Sequence, residues 1–372
     1  MSPLIFLLSL MFTPAGDPVR PADRTPRKLI EFGWDEPDTS LLLAWAKQIE
    51  AAPFDGCVFH VDARDADGKP NGSLTWKFWS ERAFTQLELA AARKDLEAIA
   101  ERGSKTARPM SHFLRINITP GTVDWFGDHA PIIENARRAA ALARAGRFAG
   151  ILLDTEPYET PLFDFSKQPN AATRSFEEHA ERAREVGRAI MSAFQDEFPD
   201  LHVLLTFGHS YPWTQMQRAR PPKQLAQVAD GLLAPFLDGM IAASRGRSKI
   251  IDGYELSYGY RERARFTSAR ELITRGLDSI TSDPAKYRER VSVGFGLWLD
   301  YDWRRLGWNV TDLERNHFTP DGFAASLRAA LDETDEYVWI YTEQPRWWTA
   351  GGKVEKLPRA YIDRIREIAA GR

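Results

Sequence analysis

The sequence has a single cysteine, Cys57, and therefore cannot form an intramolecular disulfide. The apolar residues around it in FDGCVFHVD predict that Cys57 is a small buried hydrophobe. The sequence also has no excess of basic residues. It contains 49 Lys and Arg and 52 Asp and Glu, which gives a formal net charge of −3. Binding to nucleic-acid phosphates needs a basic surface, so we expect no nucleic-acid partner.

Two groups of sequence motifs are absent. No G-x-G-x-x-G or Walker-type run occurs, which argues against an open, doubly wound sheet with a phosphate loop. The 7 histidines include no H-x-H or H-E-x-x-H spacing, so we predict no metal site and no cofactor. A metal-dependent hydrolase or isomerase barrel remains an alternative, and its ligands would come from His60, Asp62, Glu156, His209 and Asp300.

Long apolar runs are scarce as well. The run from Ile5 to Phe12 is too short to span a bilayer but has the length of a signal-peptide core, and small residues follow it. We therefore predict that residues 1–27 are a signal peptide and a disordered N-terminal segment, and that the protein is secreted or periplasmic. No later segment is apolar enough for a membrane helix, so we expect no stable membrane insertion after signal cleavage.

From Lys28 onward, short β-like runs alternate with longer segments of helical period, and eight such pairs can be counted. The strands are KLIEFGW, GCVFHVD, HFLRINI, GILLDTEPYE, HVLLTFG, KIIDGYELSYG, VSVGFGLWLD and YVWIYTE. Strict alternation with nearly continuous apolar strands predicts a parallel sheet covered by helices. Residues 28–372 are therefore predicted to form one α/β domain, a (β/α)8 TIM barrel with long aromatic-rich βα loops.

The strand GILLDTEPYE finishes in two acids. Asp154 and Glu156 are two residues apart and would project from the same face of the strand, at the end where barrels carry their chemistry. Two neighbouring carboxylates raise each other's pKa unless one of them is neutralised. Arg115 lies within an apolar strand and must be paired when buried, so we expect it to hold Asp154 ionised.

Such an arrangement suits the hydrolysis of a glycosidic bond. Glu156, if it keeps its proton, would protonate the glycosidic oxygen as the general acid. A second carboxylate from another strand would act on the anomeric carbon, directly or through a water. Glu343 in YTEQPRWW is the first choice for this group and Glu255 in GYELSYGY is the second, and Asp154 completes the catalytic set.

Many tryptophans follow strand ends, and flat indole faces stack on the apolar faces of sugar rings. The pattern favours a carbohydrate substrate. These tryptophans are Trp34, Trp76, Trp79, Trp125, Trp213, Trp298, Trp303, Trp308, Trp347 and Trp348. The predicted substrate-binding residues are Trp34, Asp35, His60, Arg115, Asn117, Tyr158, His209, Tyr211, Tyr258, Trp298, Asp300, Tyr341, Trp347 and Trp348.

Structural roles are open for several of these residues. Asp35 belongs to DEPDTS, which is rich in helix-capping residues. Asp300 could lie in a turn and pair with a nearby arginine. His60 and His209 are as compatible with hydrogen-bonded scaffold positions as with reactive groups.

At these residues the sequence resembles a family. FAGILLDTEPY is similar to the D-x-E end of strand four in secreted TIM-barrel glycoside hydrolases, and VWIYTEQPRWW is similar to their strand eight with its carboxylate and tryptophans. The resemblance covers residues 28–370 and implies a secreted glycoside hydrolase acting on a polysaccharide or oligosaccharide. The chain departs from the chitinase type at Leu152 and from the Asn-Glu type at Thr155. A non-catalytic carbohydrate-binding barrel is the other alternative, although the carboxylates are present.

Overall fold

The computed structural model describes residues 26–105, 109–302, 307–350 and 353–372. Nearly all of the predicted signal-peptide segment, residues 1–25, lies outside these ranges, as does Trp303. The barrel strands are β1 (Lys28–Gly33), β2 (Gly56–Phe59), β3 (Phe113–Asn117), β4 (Gly150–Asp154), β5 (His202–Leu205), β6 (Ile250–Asp252), β7 (Val291–Val293 and Phe295–Trp298) and β8 (Tyr337–Thr342).

These strands form a parallel ring in chain order. Each strand pairs with the next, and β1 also pairs with β8, from Lys28 opposite Tyr337 to Gly33 opposite Thr342. The strand β7 is interrupted at Gly294, so its first part pairs with β6 and its second part with β8. The predicted TIM barrel is therefore confirmed.

Helices lie between the strands on the outside of the ring. Several have the caps that their sequences predict: Ser175 and Glu178 form a capping box, and the side chains of Asp38 and Thr319 accept from backbone N–H groups. In chain order the helices are α1 (Thr39–Ala44), α2 (Ala46–Ala51), α3 (Ala90–Gly103), α4 (Ala130–Ala145), α5 (Phe176–Glu197), α6 (Ser210–Arg218), α7 (Leu233–Ala243), α8 (Arg263–Glu271), α9 (Pro284–Arg290), α10 (Pro320–Glu333) and α11 (Arg359–Ala370). No helix in the described ranges is both long and apolar enough to cross a membrane.

The barrel separates two hydrophobic cores. The larger core lies between the strands and the helices, and Cys57 is buried there, as predicted. The smaller core fills the ring with side chains that alternate along the strands, because successive residues of a strand point to opposite faces. It consists of Ile30, Phe32, Val58, Phe113, Leu152, Leu204, Ile251, Tyr337 and Trp339.

Two elements were not expected from the sequence. The helix α6 lies close after β5, and its fully buried residues are Ser210 and Pro212, while Tyr211, Trp213 and Met216 pack partly buried against the core. A short hairpin of Asp62–Arg64 and Pro70–Ser73 lies after β2, and most of its residues are at least partly exposed. Both elements belong to the loops at the carboxyl ends of the strands.

Candidate active site

A cavity of about 630 Å³ opens at the carboxyl end of the barrel, directly above the smaller core. Its volume falls within the range of small-ligand pockets. The residues lining it are Phe32, Gly33, Trp34, Glu36, His60, Trp76, Arg115, Glu156, Tyr158, Glu255, Tyr258, Trp298, Tyr341 and Glu343. Three of the four predicted catalytic residues are among them, and the fourth, Asp154, is buried beside Arg115 and Glu156.

The alternation of the strands builds this lining. On β8, Tyr337 and Trp339 fill the ring, and the next residues of the same parity, Tyr341 and Glu343, face the cavity. On β4 the buried Leu152 is followed by Asp154 and then by Glu156. The same two-residue period that packs the barrel thus places acids and aromatic rings above the packed layer.

Arg115 is held between two carboxylates. Its Nη2 donates to Asp154 Oδ2 at 2.8 Å and its Nη1 donates to Glu36 Oε2 at 3.0 Å. Burial alone would lower the pKa of Arg115, but Glu36 and Asp154 raise it above its ordinary value. The predicted pair between Arg115 and Asp154 is therefore present in the structure.

Asp154 also organises the strand end that follows it. Its Oδ1 accepts from the backbone N–H of Glu156 at 3.1 Å and from Thr206 Oγ1 at 3.3 Å. Its Oδ2 accepts from the hydroxyl of Tyr158 at 3.2 Å. A carboxylate with this many donors is a fixed negative charge next to Glu156.

Glu156 and Glu255 are neighbouring carboxyl groups that affect each other's pKa, and Asp154 acts on both. Burial and the charge of Asp154 raise the pKa of Glu156 to about 7. Burial and the neighbouring Glu156 and Asp154 raise the pKa of Glu255 well above its ordinary value. Two neighbouring buried carboxyl groups disfavour being ionised together, so the pair holds a proton near neutral pH.

Glu343 approaches the cavity from β8. Burial and the carboxylate of Asp300 raise its pKa, and its Oε1 is 3.5 Å from the hydroxyl of Tyr341. That hydroxyl also accepts from Trp34 Nε1 at 2.8 Å. Asp300 itself lies outside the cavity lining and accepts from the backbone N–H groups of Glu343 at 3.0 Å and Gln344 at 2.9 Å. Asp300 thus acts on the loop after β8 instead of on the cavity.

Asp35 has a comparable structural position. It is buried outside the lining, and its Oδ2 accepts from the backbone N–H groups of Trp347 at 2.5 Å and Trp348 at 3.3 Å. Asp38, not Asp35, caps the helix that begins in DEPDTS. Fully buried Glu31 lies beside Asp35, and burial together with Asp35 raises the pKa of Glu31 well above its ordinary value.

Three further predicted binding residues are not part of the cavity lining. His209 is buried and its Nε2 is 3.0 Å from Asp238 Oδ1, which makes it a scaffold histidine. Tyr211 stacks on Phe207 at a centroid distance of 3.9 Å. Asn117 is buried at the end of β3 opposite Asp154.

Most of the tryptophans that the sequence associated with a sugar site serve packing. Trp79 and Trp125 are fully buried with their rings edge to face at 5.4 Å, and Trp347 and Trp348 are buried against Phe54. Within the described ranges, the tryptophans that line the cavity are Trp34, Trp76 and Trp298. The loops after the strands therefore need bulky rings mainly to cover the ends of the outer core.

Glu36, which is not among the predicted site residues, also lines the cavity. A signal for it was present: Phe32, Trp34 and Glu36 share one parity, and Asp35 has the other. His60 faces Glu36 across 3.7 Å and Asp62 across 3.8 Å. Within the ranges that the structure describes, no group of three or more His, Cys, Asp or Glu side chains is arranged to hold a metal ion.

The fold and the cavity define a TIM-barrel protein with a carboxyl-rich pocket at the catalytic end of the barrel. No protein-family model matches the chain, and no curated protein matches its sequence. Among solved structures, it is similar to a GH5-4 broad-specificity endoglucanase from Clostridium longisporum, with 7% identity, coverage of 88% of this chain and 86% of the other, and a TM-score of 0.45.

Two other solved structures give similar values. A sugar phosphate isomerase/epimerase from Parabacteroides distasonis has 10% identity, coverage of 96% and 97%, and a TM-score of 0.42. A β-glucosidase from Thermotoga maritima has 13% identity, coverage of 94% and 87%, and a TM-score of 0.41. These proteins differ in activity, so their similarity to this chain does not indicate its reaction.

Proposed function

We propose that the protein is a glycoside hydrolase that cleaves a polysaccharide or oligosaccharide in the cavity above the barrel. The observation that carries the proposal is the carboxyl group of Glu156, whose pKa is raised to about 7 in a cavity of about 630 Å³. A general acid works best when its pKa is near the working pH. Glu156 is therefore suited to protonate a glycosidic oxygen at neutral pH.

Glu255 supports this proton and does not act on the sugar ring. Glu156 and Glu255 each affect the pKa of the other, and the charge of Asp154 acts on both. Two neighbouring buried carboxyl groups disfavour being ionised together, so they hold a proton between them. We therefore assign Glu255 to the proton of Glu156 and Glu343 to the sugar ring.

Glu343 is the second catalytic carboxylate of the proposal. It lines the same cavity from β8, which lies opposite β4 in a ring of eight strands. Entry of a sugar between these strands would place the anomeric carbon between Glu156 and Glu343. Opposite strands favour the wider separation of about 6.5–9.5 Å, with a water activated by Glu343 and inversion of the anomeric centre.

Aromatic rings on three sides of the cavity would hold the sugar. Trp34 and Trp76 are exposed at the cavity, with 68% and 40% of their surfaces accessible. Trp298 packs against Tyr258 at 5.7 Å and against Tyr341 at 5.7 Å, which fixes its ring. Stacking on fixed rings orients a sugar at a small entropic cost.

The proposed enzyme is exported. This part of the proposal rests on the apolar run from Ile5 to Phe12, and it predicts a mature N-terminus near Gly16 in the native host. Mass-spectrometric sequencing of the protein from that host tests it. An intact Met1 on cytoplasmic protein would contradict export without affecting the proposed reaction.

Two variants test the catalytic assignment. A screen of neutral polysaccharides and aryl glycosides first identifies a substrate. Glu156→Gln should then lose about two to four orders of magnitude in kcat on a substrate with a poor leaving group, and much less on an aryl glycoside that needs little protonation. Glu343→Gln should reduce the rates on both substrates equally, because attack on the anomeric carbon is needed for any leaving group.

The control is Glu50→Gln, which breaks a Glu–Arg pair on the outside of the barrel, where Glu50 accepts from Arg102 at 2.6 and 2.7 Å. It should leave both rates unchanged. NMR of the first product gives the anomeric outcome, with inversion expected. Wild-type rates for Glu156→Gln and Glu343→Gln on every cleaved glycan would refute the assignment, and binding of glycans without cleavage would indicate a carbohydrate-binding barrel.

A further inference from the structure

The cavity is strongly acidic, and this has a consequence for the charge of the sugar that enters it. Four glutamates line it, namely Glu36, Glu156, Glu255 and Glu343. Over residues 26–105, 109–302, 307–350 and 353–372, the lining contains one lysine or arginine, which is Arg115. A pocket of one sign concentrates ligands of the opposite sign or of no charge and repels ligands of its own sign.

Arg115 already has two carboxylate partners. Arg115 gives one amino group to Asp154 at 2.8 Å and the other to Glu36 at 3.0 Å. Its guanidinium carbon also lies 5.2 Å from the ring centre of Phe32 and 4.8 Å from that of Trp76. The guanidinium thus lies between two carboxylates and two aromatic rings, and each of its amino groups already has a carboxylate partner.

Arg346, whose charge acts on Glu343, uses Nη1 to bind the backbone. Arg346 donates to the carbonyl oxygens of Glu343 and Pro345, and Arg346 is not part of the lining. Recognition of a sugar carboxylate or phosphate normally uses an arginine fork that is free to make two parallel hydrogen bonds. The described part of the cavity offers no such fork.

We propose that Glu36 is a specificity-determining residue that makes the cavity select uncharged sugar chains over acidic ones. Its carboxylate takes the amino group of Arg115 that would otherwise face the ligand, and it gives the cluster of Arg115, Asp154 and Glu36 a net negative charge. This inference rests on the proposed glycoside hydrolase activity and adds the charge class of the substrate. The second oxygen of Glu36 faces His60 Nδ1 at 3.7 Å.

The experiment compares the neutral glycan that the wild type cleaves best with the same glycan oxidised to the uronic acid at C6. We expect the wild type to prefer the neutral form in kcat/KM by about 100-fold or more, because like charges placed together in a pocket are strongly repelled. Added salt should raise the rate on the oxidised glycan and leave the rate on the neutral one unchanged, because salt screens the repulsion.

Variants of Glu36 test the residue itself. Glu36→Gln removes the negative charge and should reduce the preference about tenfold or more, whereas Glu36→Asp keeps the charge and should retain it. Glu50→Gln again serves as the control with an equivalent Glu–Arg pair outside the cavity. Equal wild-type rates on both glycans, or an unchanged preference in folded Glu36→Gln, would overturn the proposal.

The two proposals fail separately. If no glycan is cleaved, the hydrolase assignment is wrong, and calorimetric binding of the neutral and oxidised glycans to the wild-type protein still measures the charge preference. If glycans are cleaved without regard to their charge, the hydrolase assignment stands and the role of Glu36 is wrong. The salt dependence of the wild type keeps the test valid even if Glu36→Gln does not fold.

Discussion

The acid strength of Glu156 results from groups that act on it in opposite directions. Burial and the carboxylate of Asp154 raise its pKa, whereas the neighbouring Glu255 carboxyl group, the Tyr158 hydroxyl and the charge of Arg115 lower it. The balance gives a pKa of about 7. A single change in one of these neighbours should therefore move the pKa of Glu156, in the direction opposite to that neighbour's present effect.

Asp154→Asn is expected to move the basic limb of the pH–rate profile to lower pH. The reaction needs Glu156 protonated, so the rate falls as the pH rises through its pKa of about 7. Removing the charge of Asp154 lowers this pKa, and the limb should move by about one pH unit. The measurement is kcat/KM between pH 5 and 9.

Arg115→Met supplies the opposite change, because Arg115 lowers the pKa of Glu156 and its loss should move the same limb upward. Thermal unfolding of both variants confirms that they are folded. Shifts in the same direction for the two substitutions would mean that the basic limb belongs to a group other than Glu156.

At the scale of elements, the loop after β8 is fixed by two acids from distant parts of the chain. Asp300, after β7, accepts from the first two backbone N–H groups of this loop, and Asp35, after β1, accepts from those of Trp347 and Trp348. Hydrogen bonds to a charged acceptor are among the stronger ones in proteins. Glu343 therefore depends for its position on Asp300, which does not face the cavity.

Asp300→Asn is expected to lower kcat about tenfold with little change in KM. An asparagine has one acceptor oxygen in place of two, so one of the N–H groups of Glu343 and Gln344 loses its partner and Glu343 is held less firmly. Because a partly buried donor is left unpaired, the free energy of unfolding should also fall, by about 1 kcal/mol. Steady-state kinetics and urea unfolding measure the two effects.

Asp35→Asn is the matched control, since it weakens the same loop at Trp347 and Trp348, beyond the reacting group. It should reduce stability with a smaller loss of kcat. Equal losses of kcat in both variants would show that the loop acts as a whole and that Asp300 has no particular role in positioning Glu343.

The sequence predicted all eight barrel strands because their apolar runs are nearly continuous and are separated by helical segments. It predicted the cavity residues correctly where the alternation of a strand continues past its last hydrogen bond, as at Glu156 and Glu343. It could not predict the surroundings of Asp35, whose partner Trp347 is 312 residues away. Past the strand ends, the position of a side chain depends on such distant partners and not on the local period.

At the scale of the whole molecule, buried acids with raised pKa values should make the protein less stable as the pH rises. Burial and Asp35 raise the pKa of Glu31 well above its ordinary value of 4.5, and burial also raises the pKa of Asp35. The native state thus keeps protons that the unfolded chain has released. The stabilisation is complete below the unfolded pKa and is lost as the pH rises through the folded pKa.

Glu31→Gln is expected to reduce this loss of stability. The amide stays neutral at every pH, so one proton no longer contributes to the slope, which is at most about 1.4 kcal/mol per pH unit for each proton. Urea unfolding at several pH values between about 5 and 8 measures the slope in wild type and variant. The control is Glu101→Gln, because the hydrogen bond from Lys105 lowers the pKa of exposed Glu101 below this range. Parallel slopes for wild type and Glu31→Gln would show that Glu31 is ionised in the native state.

The pairing of β1 with β8 also determines when the barrel can be completed. Lys28 donates to Glu336, which is 308 residues further along the chain. During synthesis β1 therefore leaves the ribosome long before its partner exists, and one edge of the growing sheet has no neighbour until β8 is made. Contacts this far apart in sequence close slowly, because the loop entropy is lost before the pairing energy is gained. Correct folding of this chain therefore requires that β1 does not pair with another segment before β8 has been synthesised.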